Sequence, residues 1–416
     1  MNSLLSPTLR ALAFGLCLAV MSCGGGNSIG GGSPSGGGGS VTPADNVVSV
    51  TVGAGPSGVN AINTLYTSVT VCVPGTSTCQ TIDNIQVDTG SYGLRLLSQA
   101  VTLSLPVAPA TGGGGLVECT EFVDGYSWGP VALVDLQISA ESATSVPVQL
   151  IGDSRYPSVP TDCTSVNPNA ENTVTSFGAN GILGIGPFAQ DCGSFCVDNI
   201  PEPVKYYSCS TSILCQGTFV PLAAQVQNPV TLFTTDKNGT IITMPSVAST
   251  GAASVTGSLI FGIDTESNNM SGSETVVPVS SATGDVTTVF QGQTLAESFV
   301  DSGSNGTFFN LPTNDTNPPL CPSSGNAPST FYCPASPETL TAAFVLANNS
   351  TVNANFLVAS ANSVSNSVTA YPGLAGTNPA SSSSFDWGLP FFYGRRVATA
   401  IEGAATSVGT GPYIAF

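Results

Sequence analysis

A mainly β chain folded as two related antiparallel lobes around a cleft is what the sequence predicts, on three observations. Short runs rich in Val, Ile, Thr and Phe are bounded by Gly, Pro or Asn, the signature of strands between tight turns. With 47 Gly and 30 Pro in 416 residues, turns are frequent and helices scarce. The third observation is an internal repeat: Ile85-Gln86-Val87-Asp88-Thr89-Gly90-Ser91 recurs as Ser298-Phe299-Val300-Asp301-Ser302-Gly303-Ser304. Each copy is a strand-like approach ending in Asp, followed by a hydroxyl residue, Gly and Ser. Downstream come Gly181-Ile182-Leu183-Gly184 and Asp386-Trp387-Gly388-Leu389, with Gly184 96 residues after Asp88 and Gly388 87 after Asp301. A repeated unit at similar spacing reads as two related lobes, with expected bounds 46–217 and 218–416.

The chain opens on an address. Met1–Arg10 ends in its single Arg, and Ala11–Met21 is apolar. At helical rise that run cannot cross a hydrocarbon core of about 30 Å, so residues 1–22 read as a signal peptide. Val20-Met21-Ser22-Cys23 resembles the lipobox of bacterial lipoproteins, which implies cleavage before Cys23 and acylation of that cysteine. Residues 23–45 then form a lipidated, Gly/Ser-rich tether, about 25 Å in root-mean-square length. By the same resemblance, Gly24 after the cysteine favours the outer membrane of a bacterial envelope. The bilayer would be a partner through the Cys23 anchor only, since several acyl chains anchor stably where one does not.

In the body, Asn46–Val52, Leu65–Val73, Val131–Ile138 and Leu259–Ile263 carry strand signals. Asn46–Val52 and Pro412–Phe416 are expected in the sheet joining the lobes. Asn238-Gly239 between Val230–Thr235 and Thr240–Thr243 predicts a hairpin. The best helix candidate starts with Ser336 as cap and Pro337 in the first turn, and runs through Leu340, Phe344 and Ala347.

Apart from Cys17 and Cys23 there are ten cysteines, and an even number outside the cytoplasm reads as five disulfides. Sequence leaves connectivity open. Proximity favours Cys72 with Cys79 and Cys321 with Cys333, two bridges among Cys192, Cys196, Cys209 and Cys215, and Cys119 left with Cys163. Cys-x3-Cys followed by Cys-x5-Cys matches zinc-site spacing poorly, so disulfides are favoured over a metal, and neither metal nor cofactor is expected.

Composition narrows the function. The chain has no histidine, which removes Ser-His-Asp and Cys-His catalysis and imidazole metal sites. Charged residues are only 8%, yet mean hydropathy is +0.27, which excludes a disordered polyanion. A net charge of −18 argues against nucleic acid and anionic lipid surfaces as partners.

The two Asp-Thr/Ser-Gly-Ser turns, with Ile182-Leu183-Gly184 and more loosely Trp387-Gly388, resemble the pepsin-like aspartic proteases. Gly257-Ser258-Leu259-Ile260-Phe261-Gly262-Ile263-Asp264 also looks like a second-lobe strand of that family, and the whole chain resembles an uncharacterised group of bacterial lipoproteins. The resemblance implies a bilobal pepsin-like fold and an Asp88/Asp301 dyad that shares one proton and activates a water against a peptide bond. It implies that Thr89 and Ser302 bond across the lobes and that Gly90 and Gly303 leave room for tight turns. Ser91 and Ser304 would bond the outer carboxylate oxygens. Such acid-base work needs no histidine. A flap is expected at Glu121–Gly129, with Phe122 or Tyr126 at the family's tyrosine position and Gly125 at the tip. Arg95 replaces the family's tryptophan after the first Asp; it would either sit near the dyad and depress its pKa or lie at the surface, the commoner place for such a residue. No basic prosegment lies between Cys23 and Asn46.

The partner implied is a peptide or protein in the interlobe cleft; oligomeric state is left open. A catalytically silent fold that binds a peptide, glycan or envelope partner is the alternative. An adhesive sandwich with a fortuitous repeat would place Asp88 and Asp301 far apart, and glycosidase chemistry would separate them by about 5–9 Å.

Overall fold

The computed structural model describes residues 44–323, 327–379 and 381–416. The signal segment, Cys23 and nearly all of the tether lie outside the described residues.

Strands dominate. β1 (Val47–Val52), β2 (Leu65–Cys72), β3 (Cys79–Asp88) and β4 (Tyr92–Leu97) are followed by a meander of β5 (Gly115–Glu121), β6 (Tyr126–Ile138) and β7 (Glu141–Ile151). Then come β8 (Gly181–Ile185), β9 (Tyr206–Cys209) and β10 (Cys215–Gly217). Around β2, β3, β4, β6, β7 and β8 the sheet closes on itself, because β2 pairs with β6 as well as with β3. Burial of Val69, Val71, Val87, Leu94, Leu96, Val134, Leu136, Val148 and Leu183 fills that barrel. Closure leaves few edges to protect.

The second half supplies β11 (Gly239–Thr243), β12 (Val255–Phe261), β13 (Val276–Pro278), β14 (Val286–Phe290), β15 (Gln293–Val300) and β16 (Thr307–Phe308). β17 (Glu338–Val345), β18 (Thr351–Val358), β19 (Ala375–Gly376), β20 (Asp386–Trp387) and β21 (Arg396–Ala400) follow, with a small hairpin of β22 (Ala405–Thr406) and β23 (Gly409–Thr410) before β24 (Tyr413–Ala415). A second sheet runs in the order β18-β17-β14-β15-β20-β16-β19. Aromatic rings fill its inner face: Trp387 stacks on Phe344 at 4.7 Å and donates its indole N–H to Thr288 Oγ1 at 3.0 Å. Between the lobes, the order β1-β12-β11-β21-β24-β13 makes a joining sheet in which both ends of the described chain take part. The fold is thus mainly β and bilobal, as the sequence led us to expect.

The sequence repeat is a structural repeat. Ile85–Asp88 runs parallel to Gly181–Gly184, as Phe299 and Val300 run parallel to Asp386 and Trp387. After each Asp turn the chain returns antiparallel to that inserted strand, through β4 and β16. Gly184 and Gly388 pass so close to the returning backbone that a Cβ on either would collide with it.

Two local expectations fail. The helix from Ser336 is instead β17, paired along its whole length with β18. Leu340, Ala342 and Phe344 satisfy a two-residue period as readily as Leu340, Phe344 and Ala347 satisfy a helical one, and the cross-strand partners decide. Nor does Asn238-Gly239 turn a hairpin. Asn228 caps a 3-10 turn at Pro229–Leu232, and β11 pairs with β12 and β21. Asn238 spends its side chain on Ile263, donating to its carbonyl and accepting from its N–H, both at 2.8 Å.

The five disulfides among the described residues include the expected Cys72–Cys79, Cys321–Cys333 and Cys119–Cys163, and the two bridges expected among the remaining four cysteines, whose pairing sequence left open, are Cys192–Cys196 and Cys209–Cys215.

Candidate active site

Each Asp turn leaves a strand paired in parallel with its inserted strand, and the two turns meet across the lobe interface. The Ser302 N–H donates to Thr89 Oγ1 at 2.9 Å, and the Thr89 N–H donates to Ser302 Oγ at 3.1 Å. Each hydroxyl then donates onward into the opposite lobe, Thr89 to the Val300 carbonyl at 3.0 Å and Ser302 to the Val87 carbonyl at 2.8 Å. Nearby, Gln86 Nε2 donates to the Gly303 carbonyl at 2.9 Å, and Asn63 Nδ2 donates to the carbonyls of Asn305 and Tyr371. These bonds satisfy buried backbone groups that a cleft between lobes would otherwise orphan.

Inside this frame the carboxyls of Asp88 and Asp301 face one another, both fully buried. Gly90 N–H donates to Asp88 Oδ1 and Gly303 N–H to Asp301 Oδ1, each at 2.7 Å. Glycine is required at both positions. A Cβ on Gly90 would lie 2.6 Å from Asp301 Cγ, and one on Gly303 would lie 2.5 Å from Asp88 Oδ1. Ser304 Oγ donates to Asp301 Oδ2 at 2.9 Å. Ser91 departs from this symmetry: its hydroxyl and Asp88 Oδ2 are both buried without a hydrogen-bond partner among the described residues. The expected Ser91 bond to the outer carboxylate oxygen is therefore not made.

Burial first, then the charge of Asp88 and that of Asp386, push the Asp301 carboxyl well above the usual carboxylate range; Ser304 opposes the shift. Two carboxyls buried face to face cannot both ionise, so the pair shares one proton. The facing carboxyls exclude the fortuitous-repeat sandwich, and they leave no room for the wider spacing of a glycosidase pair.

The β5–β6 hairpin places the flap residues. Glu121 pairs with Tyr126, and the Phe122 N–H donates to the Gly125 carbonyl at 2.7 Å, closing the tip. Phe122 packs edge-on against Phe177 at 6.0 Å in a small apolar cluster with Tyr66 and Leu97. Tyr126 is buried beside a strap formed by residues 167–171: its N–H donates to the Asn169 carbonyl, and the Glu171 N–H donates to its carbonyl, both at 2.8 Å.

Arg95 is a correction. Far from the surface, it is fully buried beneath the flap strands. Its guanidinium donates to Thr120 Oγ1 at 2.9 Å, the Tyr92 carbonyl at 2.6 Å, Glu118 at 2.7 Å and Asp191 at 3.3 Å. Burial opposes its charge, and the Glu118 and Asp191 carboxylates outweigh that. Burial, then the neighbouring Glu118, raise Asp191 well above the carboxylate range, and of the guanidinium's two carboxyl contacts the shorter is to Glu118. An arginine in an apolar run gave no sign of this, because its carboxylate partners lie 23 and 96 residues away.

One site residue escaped sequence reading altogether. Asp386 belongs to the downstream apolar–Gly unit, where the sequence offers it only as a neighbour of Trp387. It is fully buried against the dyad, with the Ser304 hydroxyl beside it, and neither of its oxygens accepts a well-aligned hydrogen bond among the described residues.

Residues 42–416 match the family model described as Protein of unknown function (DUF3443). No curated protein matches the chain. Among solved structures, the chain is similar to the aspartic proteinase from Irpex lacteus at 16% identity, over 89% of this chain and 96% of that one, with a TM-score of 0.49.

Proposed function

This chain belongs to the DUF3443 family, described as proteins of unknown function, and we propose that it is a pepsin-like aspartic endopeptidase, tethered through Cys23 to a bacterial envelope membrane. The observation that carries the reading is the facing of Asp88 and Asp301 across two glycine turns, locked by the reciprocal Thr89 and Ser302 bonds. Burying two facing carboxyls is costly without a use for them.

In this reading Asp88 carries the charge and Asp301 the proton. A water between them gives its proton to Asp88 as its oxygen attacks the scissile carbonyl carbon. Asp301 gives its proton to the carbonyl oxygen, and a tetrahedral gem-diol results. Collapse breaks the C–N bond, the leaving amine takes the proton from Asp88, and a gem-diol hydroxyl returns one to Asp301. Positioned acid-base catalysis of this kind contributes about 10²–10⁴-fold, and it involves no covalent intermediate.

The substrate class is an extended peptide laid between the lobes. A cavity of about 430 Å³ adjoins the second turn at Asn305 and is lined by Ile62, Phe331, Val364 and Leu374, with no charged side chain in its wall. It suits an uncharged side chain of such a peptide.

A second reading, a silent fold that binds its partner, is favoured by one observation: both carboxyls are fully buried, and the flap tip carries Phe122 packed on Phe177 where the family has its tyrosine. Calorimetry with a statine-type mimic, whose hydroxyl takes the place of the attacking water, separates the two. The protease reading expects binding that is lost in D88N. Absence of binding to the folded wild type overturns it. Membrane fractionation of wild type and C23S tests the anchor.

A further inference from the structure

Asp386 occupies a place that the first lobe fills with hydrocarbon. Gln86 pairs with Ile182 as Phe299 pairs with Asp386, and Arg95 faces Ile182 as Phe308 faces Asp386. The duplication therefore sets a carboxyl where its counterpart is isoleucine.

The surroundings offer that carboxyl no help with a charge. It is fully buried, and neither oxygen accepts a well-aligned hydrogen bond. The Ser304 hydroxyl lies beside it, but that proton is committed to Asp301 Oδ2 at 2.9 Å. The titratable groups facing it are Asp301, at the end of β15, and Asp88 across the lobe interface. The other strand paired with its own, β16, brings Thr307 and Phe308, and no basic side chain. Asp301 has two donors, Gly303 N–H and Ser304 Oγ–H, and Asp88 has Gly90 N–H. Of the three carboxyls, Asp386 is the one least able to hold a charge.

We propose that Asp386 is a positioning residue of the dyad: it stays protonated in the folded chain and offers its proton to Ser304 Oγ, which holds the Ser304 hydroxyl on Asp301. This rests on the protease reading for its kinetic consequence and stands without it for the protonation.

Two arms test it. Burial, before any other cause, raises the Asp386 carboxyl well above its ordinary range. Its contribution to stability is thus fully present below the unfolded value near 3.9 and is lost as pH rises toward the folded one. D386N, which does not titrate, should gain several degrees in Tm relative to wild type between pH 4 and pH 8. A Tm difference that does not change with pH overturns the proposal, whatever the protein cleaves.

In the kinetic arm, D386N keeps a donor for Ser304, and D386I copies Ile182 and has none. D386N should hold kcat within about twofold of wild type, and D386I should lose about tenfold in kcat with KM unchanged. Equal activity in both variants overturns the positioning role. A wild type that cuts nothing overturns the function proposed above, and the stability arm still decides the protonation of Asp386.

Discussion

Thr89 and Ser302 trade hydrogen bonds across the lobe interface, each backbone N–H donating to the other's hydroxyl, at 3.1 and 2.9 Å. The exchange ties the two Asp turns together more directly than any apolar contact between them. Removing either hydroxyl leaves the other turn's buried N–H unpaired, which costs about 1–3 kcal/mol. T89V and S302A are each expected to destabilise the chain by that amount in urea titration, and T89S to leave it near wild type. Because the two share partners, the double variant should fall short of the sum by at least about 0.5 kcal/mol. Strict additivity would mean that the lobes are held by other contacts.

Arg95 makes a similar case beneath the flap. With both partners buried, its removal strands the Glu118 carboxylate, and breaking such a pair costs about 3–5 kcal/mol. R95M should lose that much stability, and adding E118Q should recover part of it. A loss below about 1 kcal/mol would place solvent, rather than the ion pair, around Glu118.

The strap over the flap tip is expected to respond to pH. Burial first, then Asp124, push Glu171 up to about 8. A raised folded value gives stability that is complete below the unfolded carboxylate range and lost as pH rises through about 8. Exchange of the Tyr126 and Glu171 amides, corrected for intrinsic rates, should therefore quicken between pH 5 and pH 8, and E171Q should flatten that dependence. Equal pH dependence in both proteins would exclude Glu171 as the cause.

Much of this arrangement was legible because it is written locally. The Asp turns are short motifs with required glycines, and Gly184 and Gly388 mark the inserted strands at matching distances. The flap is a plain hairpin pattern, and three cysteine pairs fall to proximity and remainder, while the pairing within Cys192, Cys196, Cys209 and Cys215 came only with the fold. What stayed hidden depends on partners far along the chain. Glu338–Val345 reads equally as helix or strand until β18 is present beside it. The environment of Arg95 is set by Glu118 and Asp191, and that of Asp386 by Asp88 and Asp301. Ser91 looks like Ser304 in sequence, yet only Ser304 reaches its carboxylate. Charge burial is a tertiary property, and no local pattern announces it.

Cleavage of a peptide library by the chain beginning at Gly24, across pH 3 to 7, bears most directly on the central claim. Cuts that vanish in both D88N and D301N and are blocked by a statine-type mimic are the result expected of an Asp88/Asp301 dyad. A folded wild type that leaves every peptide intact at every pH, or cuts that survive either substitution, would contradict it.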